Sequence, residues 1–221
     1  LVRTDNQASK HRGISVLLVD MTAPGITVRP IRSMGGLGEI NEIFFEDVVV
    51  PKENLLGPQD GGWPLIMTGL SFERTGIATH GRSLTTIKKL IDYVRTAERD
   101  GRKLRDDPQI RAKIADLYCR YRAARLISYR VTSMVEAGKE PLAEASMAWI
   151  HGGQATQDAA RVGMEIVGWD GLLREGEPGA PIDGAMEREW IEMIPMSIGA
   201  GTVDIQRSIV AQRGLGLPKA G

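Results

Sequence analysis

The chain changes its hydrophobic period once. Up to residue 55 the apolar residues fall in short β-branched runs. Beyond a Gly/Pro-rich stretch, Leu56-Gly-Pro-Gln-Asp-Gly-Gly62, they recur at three- and four-residue steps for most of the remaining length. A period of two suits a strand with one buried face and a period of 3.6 suits an amphipathic helix, so one segment cannot serve both. The fold class that follows is α+β: a β segment, then an all-α bundle of four-helix type.

Within the β segment, Gly13–Val19 and Ile26–Ile31 read as strands, the second carrying Pro30 as an edge or strand end would. Glu42–Val50 reads as another, stopped by Pro51. Three or four strands without partners cannot bury both faces, so residues 1–57 read as the C-terminal part of a larger sheet domain. Residues 58–221 read as the helical bundle domain. Its pattern predicts one helix over 63–99, about 50 Å long. A second is expected over 108–137, with Asp107 as N-cap, Pro108 at the first position and Gly138 as terminator. An Ala-rich helix is expected over 141–167. After a Gly/Pro-rich loop come short helices near 185–193 and 202–213.

Composition narrows function mainly by exclusion. Lys plus Arg and Asp plus Glu both number 28, so no net charge steers the chain to nucleic acid or an anionic membrane. The cluster Arg99, Arg102, Lys103 and Arg105 sits beside Asp100, Asp106 and Asp107 and reads as a solvated loop. The single cysteine, Cys119, excludes an intrachain disulfide, fits a reducing compartment and reads as a small core residue. No apolar run reaches the length of a membrane span. His11, His80 and His151 have no metal-ligand spacing. Leu1 leads straight into strand-like sequence, so the natural N-terminus is expected to lie further upstream.

Four strings carry a resemblance. Phe44-Phe-Glu-Asp-Val-Val-Val-Pro-Lys-Glu-Asn-Leu-Leu-Gly57, Gly62-Trp63 with Phe72-Glu-Arg-Thr-Gly-Ile-Ala78, Lys113-Ile-Ala-Asp-Leu-Tyr118, and Ile198-Gly-Ala-Gly-Thr-Val-Asp-Ile-Gln-Arg207 resemble the C-terminal half of acyl-CoA dehydrogenases, in the family's order and spacing. The resemblance implies an α+β flavoenzyme that ends in the family's helical bundle. It implies an N-terminal helical domain and a first half of the β domain that are absent from this chain, which alone would be inactive. The implied cofactor is FAD and the implied reaction α,β-dehydrogenation of an acyl-CoA thioester. Electrons would pass to an electron-transfer flavoprotein, and the assembly would be a homotetramer or heterotetramer in a bacterial cytoplasm.

The resemblance also assigns residues. Many members place the catalytic glutamate where this chain has Ala200, which cannot act as a base. A branch that includes isovaleryl-CoA and long-chain acyl-CoA dehydrogenases places it before an arginine on the first long helix, here Glu73-Arg74. A Glu-Arg pair on a helix also reads as a plain surface pair; Ala200 turns the choice toward Glu73 as the base, with Arg74 organising the substrate side. The main-chain N–H of Ala200 would donate to the thioester oxygen, with Gly199 and Gly201 letting the backbone come close to substrate. Thr202 and Asp204 match positions at the FAD diphosphate and ribose, and read equally as helix caps. Glu165 and Gly168 match a segment that meets the adenine end of a neighbouring subunit's FAD, although Trp169 stands where a glycine is usual. Of the arginine and Phe-Gly common between the first bundle helices, which contact a partner's FAD pyrophosphate, Arg99-Asp-Gly-Arg-Lys103 keeps Gly101 and lacks the aromatic; Arg99 or Arg102 could stand for the arginine, and a solvated loop is the plainer reading. Two other readings remain open: a non-catalytic partner subunit of a heteromeric enzyme, and a flavin oxidase or monooxygenase on the same fold.

Overall fold

The fold is that of a computed structural model, which describes residues 1–73, 77–196, 198–199 and 201–219, and every side chain among them except those of 36–39, 71–73, 77–80 and 196. The chain forms two compact units, Leu1–Glu73 and Arg74–Gly221.

The first unit contains β1 (Val2–Arg3), β2 (Ile14–Leu17), β3 (Ile26–Ser33), β4 (Gly36–Phe45), β5 (Leu55–Leu56) and α1 (Gly62–Glu73). Strands β1, β2 and β5 make an antiparallel sheet in that order, and β3 and β4 pair as an antiparallel ribbon. A ring of three hydrogen bonds ties the sheet to the entry of α1. The Thr4 hydroxyl donates to Asp60 Oδ1 (2.5 Å), the Asp60 N–H donates to Ser15 Oγ (2.8 Å), and the Ser15 hydroxyl is left to donate to Thr4 Oγ1 (2.7 Å). Ser15 is fully buried, so this ring satisfies a hydroxyl that would otherwise be costly.

Strand β4 ends at Phe45 instead of running on to Val50 as its apolar residues suggest. The Glu46 N–H donates to Gly25 O (2.9 Å), and Asp47 turns the chain with φ 49°. Only glycine fits at 25, because its φ is +89° and a Cβ would lie 2.1 Å from Glu46 O. The register places Val28 opposite Ile43 on one face of the ribbon and Ile31 opposite Ile40 on the other. All four are exposed.

The second unit contains α2 (Ile77–Thr96), β6 (Glu98–Arg99), β7 (Arg102–Lys103), α3 (Pro108–Glu136), α4 (Leu142–Val167), α5 (Ala185–Met196) and α6 (Val203–Ile209), the last continued by a π-type turn, Val210–Gly214. The single long helix expected over 63–99 corresponds to α1 and α2, with residues 74–76 outside the described ones. Helix α2 stops at Thr96 because Asp100 (φ 52°) and Gly101 (φ 72°) form a left-handed two-residue turn that closes the β6–β7 hairpin. The charged stretch expected as a solvated loop is therefore a hairpin. Helix α3 starts where its cap says: Asp107 accepts from Gln109 N (2.7 Å) and Ile110 N (3.3 Å), with Pro108 following. It ends at left-handed Gly138, whose N–H donates to Val135 O.

Helix α4 is the centre of the bundle and packs against α2, α3, α5 and α6. Its buried face is made of small residues, among them Ala148, Ala155, Ala159 and Gly163, which lets the neighbours approach closely. The core fills with Ile87, Leu90, Leu117, Tyr121, Ile166 and Met186. At Gly163 a Cβ would stand 2.4 Å from Met186 Sδ and 3.4 Å from Leu90 Cδ2. Gly163→Val is accordingly expected to cost about 1–3 kcal/mol through overpacking, read as a lower urea midpoint with an unchanged slope. Cys119, expected in the core, is exposed. It lies two residues past buried Leu117, about 200° around the helix from it.

Candidate active site

Helix α5 is held by buried Ala185, Met186 and Met193 and by a polar clamp. Arg82 of α2 donates through Nε to Glu189 Oε2 (2.8 Å) and through Nη2 to Glu192. Burial alone would lower the Arg82 pKa, but the hydrogen bonds to Glu192 and Glu189 outweigh it and raise it. From α4, Gln157 Nε2 donates to Met193 O (3.1 Å). The chain leaves α5 in a tight turn, Pro195 O accepting from Ile198 N (3.0 Å) and Gly199 N (3.2 Å). Gly201 follows at φ +100°, where a Cβ would come 2.8 Å from Gln206 Nε2. Thr202 then caps α6, its hydroxyl oxygen accepting from Ile205 N (3.4 Å) and its carbonyl from Gln206 N (3.0 Å). Asp204 lies in the first turn, largely exposed, 3.4 Å from Arg207 of its own helix. This segment places the exposed Thr202 at the positive end of a helix, where a hydroxyl and first-turn amides are donors of the kind that suit phosphate oxygens.

Glu165 and Gly168 occupy a different place, the C-terminal end of α4. Both oxygens of Glu165 are engaged: Lys113 Nζ donates to Oε2 (2.8 Å) and Arg161 Nη1 to Oε1 (2.6 Å). The Lys113 hydrogen bond, helped by the charges of Lys113 and Arg161 and the Arg161 hydrogen bond, holds this carboxyl below the usual glutamate range against the opposing effect of burial. The ladder continues through Asp158, Arg120 and Asp116 along the α3–α4 groove. Arg99 Nη2 donates to Ile166 O (2.5 Å), and its guanidinium lies 3.4 Å from where a Cβ on Gly168 would stand. Trp169, next in the chain, is 88% exposed.

A depressed carboxyl pKa stabilises the fold fully above the ordinary glutamate value and loses that contribution as pH falls through the depressed one. Thermal melts of wild type and Glu165→Gln are therefore expected to differ most near neutral pH and to converge as the pH falls toward 3.

The two sets are not brought together within one chain. Gly214, at the end of the last helix, packs against Ala143 at the start of α4, a Cβ on it falling 3.0 Å from Ala143 Cβ. At 1.5 Å per helical residue, Thr202 is at most roughly 20 Å from that contact while Glu165 is roughly 33 Å from it, a gap on the order of 10 Å or more. Gly199, Gly201, Thr202 and Asp204 form one segment; Glu165 and Gly168 form another. The side chain of Glu73, and the whole of Arg74 and Ala200, lie outside the described residues. Sequence reasoning missed the Arg82 clamp, whose partners are more than a hundred positions away in the chain, and the part played by Arg99. The Asp100-Gly101 dipeptide was the available signal for the hairpin that aims Arg99. Among the described residues no group of His, Cys, Asp and Glu could hold a metal, and no helix is long and apolar enough to cross a membrane.

The sequence profile of the acyl-CoA dehydrogenase C-terminal domain matches residues 60–215. The chain belongs to the acyl-CoA dehydrogenase family. Acyl-CoA dehydrogenase FadE26 of Mycobacterium tuberculosis is 31% identical over 99% of this chain and 56% of its own length. Among solved structures, the ChsE4-ChsE5 complex from Mycobacterium tuberculosis superposes with a TM-score of 0.86 at 31% identity, over 99% of this chain and 56% of that one. The Tcur3481-Tcur3483 steroid ACAD superposes with a TM-score of 0.87 at 31% identity, with the same coverage. The chain thus spans about half the length of these curated relatives. The expected fold, a sheet segment followed by the family's helical bundle, agrees with these matches.

Proposed function

We propose that the full-length protein catalyses FAD-dependent α,β-dehydrogenation of an acyl-CoA thioester. The observation that carries this reading is the family match over 60–215, which takes in both Glu73 and the Gly199–Asp204 segment. The α proton of a thioester is weakly acidic, so its removal needs a positioned carboxylate and stabilisation of the oxygen on which charge develops. Glu73 takes the proton. The main-chain N–H of Ala200 donates to the thioester oxygen, and Gly199 and Gly201 on either side leave room for close approach. Arg74 orients the substrate.

The donors at the start of α6 fit a diphosphate. Thr202 and the first-turn amides would hold that part of FAD, with the Asp204 carboxylate accepting from a ribose hydroxyl. FAD, when bound, supplies the acceptor for the β hydrogen, and the electrons then pass to an electron-transfer flavoprotein. The likeness to a steroid ACAD favours a bulky, ring-bearing acyl group over a short straight one. Anaerobic incubation with straight-chain and ring-bearing acyl-CoAs, followed by mass spectrometry, tests this. Loss of two hydrogens from the ring-bearing thioester is expected; recovery of every thioester unchanged would count against the reaction.

A second reading has its own observation. Position 200 is alanine, and one structural relative, ChsE4-ChsE5, is named as a complex, while another carries the paired name Tcur3481-Tcur3483. Under it the chain is the non-catalytic member of a heterotetramer, and it binds acyl-CoA without altering it.

A further inference from the structure

We propose that Arg82 is a positioning residue for the dehydrogenation: by clamping Glu189 and Glu192 it fixes the end of α5, and through it the turn at Ile198 and Gly199 that enters Ala200. The inference rests on the flavin reading above, which gives the Ala200 N–H the thioester oxygen.

The clamp is built on a buried charge. Among the described residues Glu189 is the only acidic or basic side chain that is buried. It lies between buried Met186 and Met193 at helical spacing on α5, a place where an apolar residue is the ordinary occupant. A buried carboxylate is costly unless paired, and replacing such a pair by apolar residues is often neutral or stabilising, so stability alone does not account for it. What the pair adds is direction. Arg82 Nε donates to Glu189 Oε2 (2.8 Å) and Nη2 donates to Glu192, so one planar guanidinium holds two positions of α5 that are three residues apart. Apolar contacts are non-directional and leave a helix freer to rotate or slide.

The end of the helix that is held carries the site segment. Three residues past Glu192 the Pro195 carbonyl accepts from the Ile198 N–H (3.0 Å) and the Gly199 N–H (3.2 Å), so the turn is hung on the last turn of α5. Gln157 of α4 holds the same end through the Met193 carbonyl (3.1 Å). The other side of the clamp is α2, where Arg82 stands nine positions after Glu73 in the chain. The clamp therefore ties the stretch that follows the proposed base to the stretch that precedes the proposed oxyanion donor. Such a donor acts only within hydrogen-bond reach of the oxygen on which charge develops, and a misplacement of about 1 Å costs about 100-fold in rate.

The test uses the full-length, FAD-loaded protein and the exchange of the acyl-CoA α proton with heavy water, because the developing enolate is what the donor stabilises. Arg82→Met keeps most of the stem and removes the fork. It is expected to exchange about 10- to 100-fold more slowly than wild type, with acyl-CoA binding within about twofold. In a Glu189→Gln/Glu192→Gln background the same change should cost less than about twofold, because Arg82 acts only through those carboxylates. Arg82→Lys decides the matter if Arg82→Met does not fold: its ammonium is no fork, and exchange at least about threefold slower than wild type is expected. Exchange at the wild-type rate in folded Arg82→Met, or in Arg82→Lys where that variant decides, would overturn the proposal. So would a loss of acyl-CoA affinity as large as the loss of rate, or an undiminished effect of Arg82→Met in the double-glutamine background. A wild type that exchanges no α proton defeats the flavin reading and the positioning role together, whereas equal exchange in wild type and Arg82→Met defeats the positioning role alone.

Discussion

In the full-length protein, Glu73→Gln is expected to retain FAD and acyl-CoA but to exchange the substrate's α proton with heavy water about 10²–10⁴-fold more slowly than wild type. Glutamine keeps the shape and the hydrogen-bonding size of glutamate and loses only the basic oxygen, so binding should survive while proton removal does not. Exchange is the informative readout because it isolates the first bond broken from the hydride step that follows. The expectation stands on chemistry that Ala200 cannot perform: with a methyl group in the C-terminal signature, the base must come from elsewhere, and Glu73-Arg74 is the pair the family resemblance offers. Equal exchange rates in the two proteins would move the base to another residue. Absence of exchange in wild type would favour the non-catalytic subunit.

The second large effect concerns the bundle. Leu90→Ala is expected to cost about 2–5 kcal/mol. Leu90 is fully buried, lies in the main core cluster, and reaches toward Gly163 of α4. The hole left by its side chain would sit beside a position that has no side chain to fill it. Against a typical total of 5–15 kcal/mol the loss is a large share, and it should lower the melting temperature by about 5–20 °C. Leu126→Ala is the control: Leu126 is 60% exposed on α3, and its removal should change stability by less than about 0.5 kcal/mol. Similar effects from the two substitutions would mean that the helices are not packed as described.

The helices were legible because their apolar residues keep a period of 3.6 and because Asp107-Pro108 and Gly138 are local punctuation that needs no tertiary information. The β6–β7 hairpin was less so. Asp100-Gly101 is a strong turn signal, but its flanks are charged, so the alternation that marks a strand is missing. Strand β4 was misjudged at its end, where Val48, Val49 and Val50 continue the apolar run although the Gly25 carbonyl and the left-handed Asp47 have already turned the chain. Cys119 was misjudged because residue type was given more weight than its angle around α3.

At the site, Gly199–Asp204 could be located from the string itself, since the turn and the cap are local. The state of Glu165 could not. Its partner Lys113 lies 52 positions away on α3, and only the packing of α3 on α4 brings the two together. The Arg82 clamp on α5 was hidden for the same reason.

The central claim is acyl-CoA dehydrogenation by a flavin held in part by this chain. The most direct measurement is an anaerobic titration of the full-length, FAD-loaded protein with a panel of acyl-CoAs, following the visible flavin band. Bleaching by at least one acyl-CoA, with release of the corresponding 2-enoyl-CoA, is the result this account predicts. A flavin that binds but stays oxidised with every thioester in the panel would contradict it.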